Sequence, residues 1–261
     1  DEIDVVNVDF EWFNFKPEID FYGVKNLLRQ LFDVDSQLFD LSSLAELVLS
    51  QPTIGSTVKV DGEETDAYAM ITILNLYQHQ SKKVIQDITN YILTKTKSNP
   101  DLASLSTLLN SSAQVGLILS ERLINIPAEV APPLYNTLSD EIEAAVEDNE
   151  PYNFTHYLIF SKTYHEIVSA LDEEMPRIKK KKCSKTQREL FYFHAEDEIL
   201  QKYASAFGTF DYTNDKGDEM ADSKRAFSDM GIKPRGNLIL IEANRFEDSV
   251  IALRNFVPSS Q

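Results

Sequence analysis

Residues 113–147 read AQVGLILSERLINIPAEVAPPLYNTLSDEIEAAVE. Val115, Gly116, Leu117, Ile118 and Leu119 form an apolar run of strand length bounded by polar residues, the pattern of a strand buried on both faces. Ser120, Glu121 and Arg122 are expected to end it. Ile124, Ile126, Val130 and Leu134 then pin the following loop to a core. Pro132 and Pro133 sit where a helix can begin, because a first-turn residue needs no N–H donor. From Leu134 the apolar positions Leu134, Leu138, Ile142 and Val146 fall at steps of four and give one dry side. Asp140, Glu141, Glu143 and Glu147 occupy other positions. The stretch predicts a central strand, a tethered loop and a helix with a dry side and an acidic side.

Similar units lie on both sides of it. Residues 1–15 alternate in part, with Val6, Val8, Phe10, Trp12 and Asn14 on one side, and predict a strand. Lys16, Pro17 and Glu18 read as a break, and Asp20 as the cap of a helix carrying Val24, Leu27, Leu28 and Leu31. Leu41, Leu44, Ala45, Val48 and Leu49 predict a second helix, stopped by Pro52. Residues 53–60 alternate and residues 67–76 are densely apolar, so the two pair as a hairpin across a turn at Asp61-Gly62-Glu63-Glu64, in a loop longer than two residues. Residues 82–97 predict an amphipathic helix, and 101–109 a shorter one. Toward the C-terminus, strands are expected at 154–164, 189–194, 203–212 and 238–242, with a helical turn at 195–201. Residues 167–175 are ambiguous, and residues 246–256 fit either a strand or a helix. Alternating strands and helices with no dividing linker predict one α/β domain over residues 1–261. Its mixed central sheet would have about six or seven strands and be flanked by helices.

Hydrophobic residues make up 43% of the chain, which argues for a folded protein. Cys183 is the single cysteine, so no intrachain disulfide can form, as suits a reducing compartment. No apolar run approaches the ~20 residues of a membrane helix. The chain does not begin with Met and is expected to be trimmed, which leaves room for a targeting or acidic segment before it. The net charge of −17 disfavours a nucleic-acid partner. It serves either a basic partner or plain solubility.

Catalytic signatures are missing from the sequence: there is no GxxxxGK[ST], GxGxxG, HExxH or GxSxG. Gly55-Ser56-Thr57 and Arg235-Gly236-Asn237 read as short turns. His79, His156, His165 and His194 are scattered. His194 stands near Glu196, Asp197 and Glu198, but without a second ligand cluster the acids read as a solvated helix start, and no metal is expected. Cys183 beside four lysines is either an activated thiol or a bystander in a loop.

Charge distribution carries more information. Asp140, Glu143 and Glu147 share a helix face at three- and four-residue steps, where like charges repel by a few tenths of a kcal/mol, roughly. Unrelieved repulsion points to use by a partner, and Asp140, Glu141, Glu143 and Glu147 are the candidate partner-binding residues. Asp61, Glu63, Glu64 and Asp66 form a second acidic cluster. Asp215, Asp218, Glu219 and Asp222 form a third, and both loop clusters read as solvated loops. Arg177-Ile178-Lys179-Lys180-Lys181-Lys182-Cys183-Ser184-Lys185 is the one strongly basic run. Lys179, Lys180, Lys181 and Lys182 are the candidate nuclear-import signal, against an RNA contact or a tether to an acidic face.

VGLILSERLINIP at 115–127 resembles the BCCIP family of eukaryotic nuclear proteins. So do VDFEWFNFKPEIDFYGVKNLLRQLF at 8–32 and FYFHAEDEILQKYASAFGTFDY at 191–212. The resemblance implies a fold like the GCN-related N-acetyltransferases. Coenzyme A binding in that fold needs a glycine-bearing turn after the central strand, so that backbone N–H groups can hold the pyrophosphate. Residues 120–127 contain no glycine, and Glu121 would repel phosphate. No cofactor and no enzymatic activity are therefore expected. The resemblance further implies a chaperone or escort of a basic large-subunit ribosomal protein in 60S ribosome biogenesis. Such a protein would be nuclear with cytoplasmic shuttling, carried by an import receptor. The alternative it implies is an adaptor for nuclear export, or for cell-cycle or DNA-repair partners. A monomer is expected.

Overall fold

The computed structural model describes residues 8–97, 99–166, 190–216 and 232–255, apart from the side chains at 166, 215 and 216. Strands β1 (Phe10–Asn14), β2 (Ser56–Val60), β3 (Ala69–Asn75), β4 (Val115–Arg122), β5 (His156–Glu166), β6 (Phe191–Tyr192), β7 (Ala206–Phe210) and β8 (Ile232–Glu242) form one sheet. Its order is β1-β2-β3-β4-β5-β8-β7, with β6 also on β5. The pair β4–β5 is parallel and the other pairs are antiparallel. The sheet is therefore mixed, as expected, but mostly antiparallel and eight-stranded, more than the six or seven read from the sequence.

Alternate residues along each central strand feed two apolar layers. Met70, Leu74, Leu117, Leu119, Leu158 and Phe160 pack against α1 (Pro17–Phe32), α2 (Leu41–Leu49), α3 (Lys83–Thr96) and α4 (Ala103–Leu109). Ile71, Ile73, Ile118, Ile159, Ile239 and Ile241 pack against α5 (Ala131–Glu147), α6 (Glu196–Lys202) and α7 (Ala243–Arg254). The continuous apolar runs of β3 and β4 follow from covering both faces at once. The β2–β3 turn uses left-handed backbone at Asp61 (φ 63°) and Gly62 (φ 97°), the two residues best able to supply it.

Several boundaries differ from the expectation. Ser120, Glu121 and Arg122 do not end β4; they pair with Ile71, Met70 and Ala69 on β3. The first helix begins at Pro17, not after an Asp20 cap. Asp20 is buried inside it, accepting from Lys16 N and pairing at 2.7 Å with the equally buried Lys59. The strand expected at 189–194 is the two-residue β6. β8 begins six residues before 238 and runs straight through Arg235, Gly236 and Asn237, which are no turn. Residues 195–201 extend into helix α6, and the segment after β8 is a helix. On α5 the last buried position is Ala145, and Val146 is exposed, because a helix of 3.6 residues per turn drifts off steps of four.

Candidate functional site

β4 and β5 pair only over residues 115–119 and 156–160. Beyond that, β4 continues along β3 and β5 continues along β8, so the parallel strands part at their C-terminal ends. In open α/β sheets this is where a crevice forms. Here the chain fills it. β6 pairs Tyr192 with Thr163 and Phe191 with Tyr164, and Phe193 N donates to Lys162 O at 3.3 Å. The following residue, His194, reaches between the strands.

Charged and polar side chains from four segments meet there. Glu121 takes Lys162 Nζ at 2.6 Å on Oε2 and His194 Nε2 at 3.0 Å on Oε1. Gln30 Nε2 from α1 donates to Glu121 Oε1 and to Arg122 O, at 3.0 and 2.7 Å. Arg122 pairs with Glu196, and Ser161 Oγ donates to Asp197. His194 Nδ1 lies 3.8 Å from Glu196 Oε1 and so links the two groups. Glu196 and Asp197 are each only 2% exposed. The reading of these two as a solvated helix start is corrected, since Arg122 and Ser161 hold them inside; Glu198 alone of the three faces solvent. Glu121 likewise is a buried ion-pair partner in a strand, not part of a loop.

Burial pushes the Glu121 carboxyl up, but His194 and Lys162 outweigh it and bring it down to about 2. Burial pulls His194 down, and Glu121 more than reverses this, leaving it raised. Asp197 is pushed up to about 7, chiefly by burial, with Glu196 adding and His194 opposing. Ser120, Tyr135, Ser161, His194, Glu196 and Asp197 close on one another and leave no room for a water-sized sphere. This arrangement locks the two layers of the fold to each other and closes the crevice. Among the described residues, no His, Cys, Asp and Glu side chains gather into a metal-binding group of three or more.

The acidic helix face is built differently. The inner side of α5 is fixed by Leu134, Tyr135, Leu138, Ile142 and Ala145. Glu141 sits on its flank and turns inward: its carboxylate accepts from Gly55 N at 2.8 Å and Ser56 Oγ at 3.2 Å. Burial raises its pKa, partly offset by those two hydrogen bonds. Asp140, Glu143 and Glu147 face solvent, and none has an ion-pair partner among the described residues. Asp140 receives one long contact, from Asn136 at 3.4 Å. Three of the four candidate acids thus share an outward surface, and the fourth tethers the helix to the start of β2. Lys179, Lys180, Lys181, Lys182 and Cys183 lie outside the described residues, as do Asp218, Glu219 and Asp222. Sequence reasoning missed the cluster around Glu121, whose members come from segments up to 132 residues apart in the contact of Lys162 with Gln30 O.

Together these features define an α/β protein that closes its parallel-strand crevice with its own chain and carries exposed acids on a helix surface. Comparison with known proteins places it. The BCCIP family model matches residues 5–200. Protein BCP1 of Gibberella zeae is 56% identical over 262 residues, covering 100% of this chain and 90% of that protein. Protein bcp1 of Schizosaccharomyces pombe is 48% identical, covering 95% of this chain and 89% of that protein. The crystal structure of BCP1 from Saccharomyces cerevisiae matches with a TM-score of 0.64 at 28% identity, over 95% of this chain and 89% of that one. The chain belongs to the BCCIP family, as its sequence resemblance implied. None of these relatives is named as an enzyme.

Proposed function

We propose that this protein is a non-enzymatic acidic chaperone or escort. It would bind a basic large-subunit ribosomal protein in the nucleus and support 60S ribosome biogenesis. The observation that carries the reading is the outward face of α5, where Asp140, Glu143 and Glu147 stand exposed, with no ion-pair partner among the described residues, on a helix whose inner side is rigidly packed. A free ribosomal protein displays cationic surface meant for RNA. An acidic partner can cover that surface until RNA competes for it, with fast, salt-sensitive association. Entry to the nucleus would use Lys179, Lys180, Lys181 and Lys182 on an import receptor, with return through the cytoplasm. The protein would act as a monomer, without a cofactor and without contacting nucleic acid itself.

Kinship with the N-acetyltransferase fold is part of this proposal. It rests on the parallel pair β4–β5 at the centre of the sheet, the one such pair among the described residues, and on the helix α5 between the two strands in the chain. The closed crevice supports a non-enzymatic reading of that fold, since a fold does not carry its chemistry with it. The alternative, an adaptor for nuclear export or for cell-cycle or DNA-repair partners, would depend more on apolar contact than on charge.

The test is a pull-down from nuclear extract at low and moderate salt, with the unaltered chain and with Asp140, Glu143 and Glu147 all changed to Lys. Stoichiometric capture of a small basic ribosomal protein, lost in the charge-reversed chain, is expected. Capture of transport or signalling proteins that persist in salt would replace this reading with the adaptor.

A further inference from the structure

The two outer strands of the sheet are finished differently. β7 is covered: Asn99 Nδ2 donates to Thr209 O at 3.2 Å, and a side chain at Gly208 would run into Asn99 and Leu102. β1 is bare. It pairs with β2 on one side, and among the described residues nothing pairs with its other side. An uncovered row of backbone N–H and C=O groups is a template for another strand. The side chains beside it are unusual for a solvent edge. Trp12 is 40% exposed and Val8 just before the strand is 48% exposed.

Register fixes what an added strand would meet. Phe10 and Trp12 lie on the sheet face of Val60 and Val58, and Glu11 on the face of Lys59. The Lys59 amine is already spent on Asp20, so Glu11 has no ion-pair partner among the described residues. Asp9 and Glu11 are exposed, and Asp61, Glu64 and Asp66 of the β2–β3 turn add exposed acid at the same end of the pair. A second copy paired antiparallel about Phe10 would set Asp9 against Glu11, so charge disfavours self-pairing there. The same charges favour a strand with cationic side chains on one face and apolar ones toward Phe10 and Trp12.

We infer that the free edge of β1 takes an added strand from a partner segment in which apolar and basic residues alternate. Backbone pairing would supply affinity, and alternation would supply specificity. The basic half of that pattern rests on the proposed cationic client; the open edge does not.

The probe is a short capped peptide of alternating lysine and valine, compared with one of equal composition in which the lysines and valines are grouped in blocks. Binding to the full chain is read by fluorescence anisotropy, and the contact by amide hydrogen exchange. The alternating peptide is expected to bind more tightly than the block peptide and to slow exchange at Phe10–Asn14 but not in β7. Trp12→Ser combined with Glu11→Lys, both at exposed positions, should weaken it by about tenfold or more, the loss of at least one anchoring contact. The variant with Asp140, Glu143 and Glu147 changed to Lys should bind it unchanged. The inference is overturned if the edge variant binds as the unaltered chain does, if both peptides bind equally, or if protection appears on α5. Client capture, scored separately with the α5 variant, decides the chaperone reading whatever the peptide does.

Discussion

Two groups of carboxylates in this molecule have the same chemistry and opposite surroundings. Glu121, Glu196 and Asp197 are buried where β4 and β5 part, each held by a cation or a hydroxyl. Asp140, Glu143 and Glu147 stand in water on α5 without an ion pair among the described residues. A buried charge must be matched within the fold, because its desolvation costs several kcal/mol, roughly. An exposed charge need not be. The first group therefore describes how the protein holds itself closed, and the second is free to act on something else.

The comparison breaks most sharply at Glu121. Changing Glu121 to Gln removes the partner of Lys162 and His194 and leaves the buried Lys162 ammonium without its counter-charge. We expect a loss of about 3–5 kcal/mol in chemical denaturation. A loss below about 1 kcal/mol, the usual scale for surface ion pairs, would mean that the cluster is not a lock.

Asp197 sharpens the comparison through pH. Its folded pKa of about 7 lies above the ordinary value of 3.8, so its contribution to stability is complete below 3.8 and fades as pH rises through 7. His194, also raised, acts in the same direction above 6.5. Glu121 is opposite: its folded value of about 2 makes its contribution complete above 4.5 and lost as pH falls toward 2. The protein should therefore lose stability in strong acid, through Glu121, and also as pH rises from about 4 to 7, through Asp197, with His194 adding above 6.5. Asp197→Asn keeps an acceptor for Ser161 without the charge. It should flatten the fall between about pH 4 and 7 and leave the acid limb below it intact, as read from melting temperature against pH. An unchanged fall across that window would show that Asp197 does not titrate there.

Glu141 lies between the two groups, as a surface-helix acid recruited by the fold. Glu141→Ala leaves Gly55 N and Ser56 Oγ without their acceptor and should cost about 1.5 kcal/mol. Loss of client binding without loss of stability would instead return Glu141 to the partner-binding face.

How much of this was legible depended on how local the cause was. The unit from β4 to α5 could be read because Pro132, Pro133 and the spacing of Leu134, Leu138 and Ile142 act within a few residues. The acidic face could be read for the same reason. The first half of β8 could not, since Pro234 and Gly236 look like turn residues. Pro234 is tolerated because β7 reaches only to Gly236, so that among the described residues nothing pairs with that side of β8 there. Gly236 is needed because the Phe210 ring lies where its Cβ would be. Glu196 and Asp197 looked solvated for a related reason: the residues that bury them, Arg122 and Ser161, are 74 and 36 positions away.

The smallest expected effect on stability carries the most weight for function. Asp140, Glu143 and Glu147 repel one another along α5, and changing all three to Lys exchanges one like-charged face for another. No buried group loses a partner, so stability should move by no more than about 0.5 kcal/mol in either direction. Capture of a basic client should nevertheless disappear. Restoring Glu143 alone should recover part of it, because exposed charges act through their sum more than through one contact. If the three-fold change unfolds the protein, these acids belong to the fold after all, and the division between locked and free carboxylates falls.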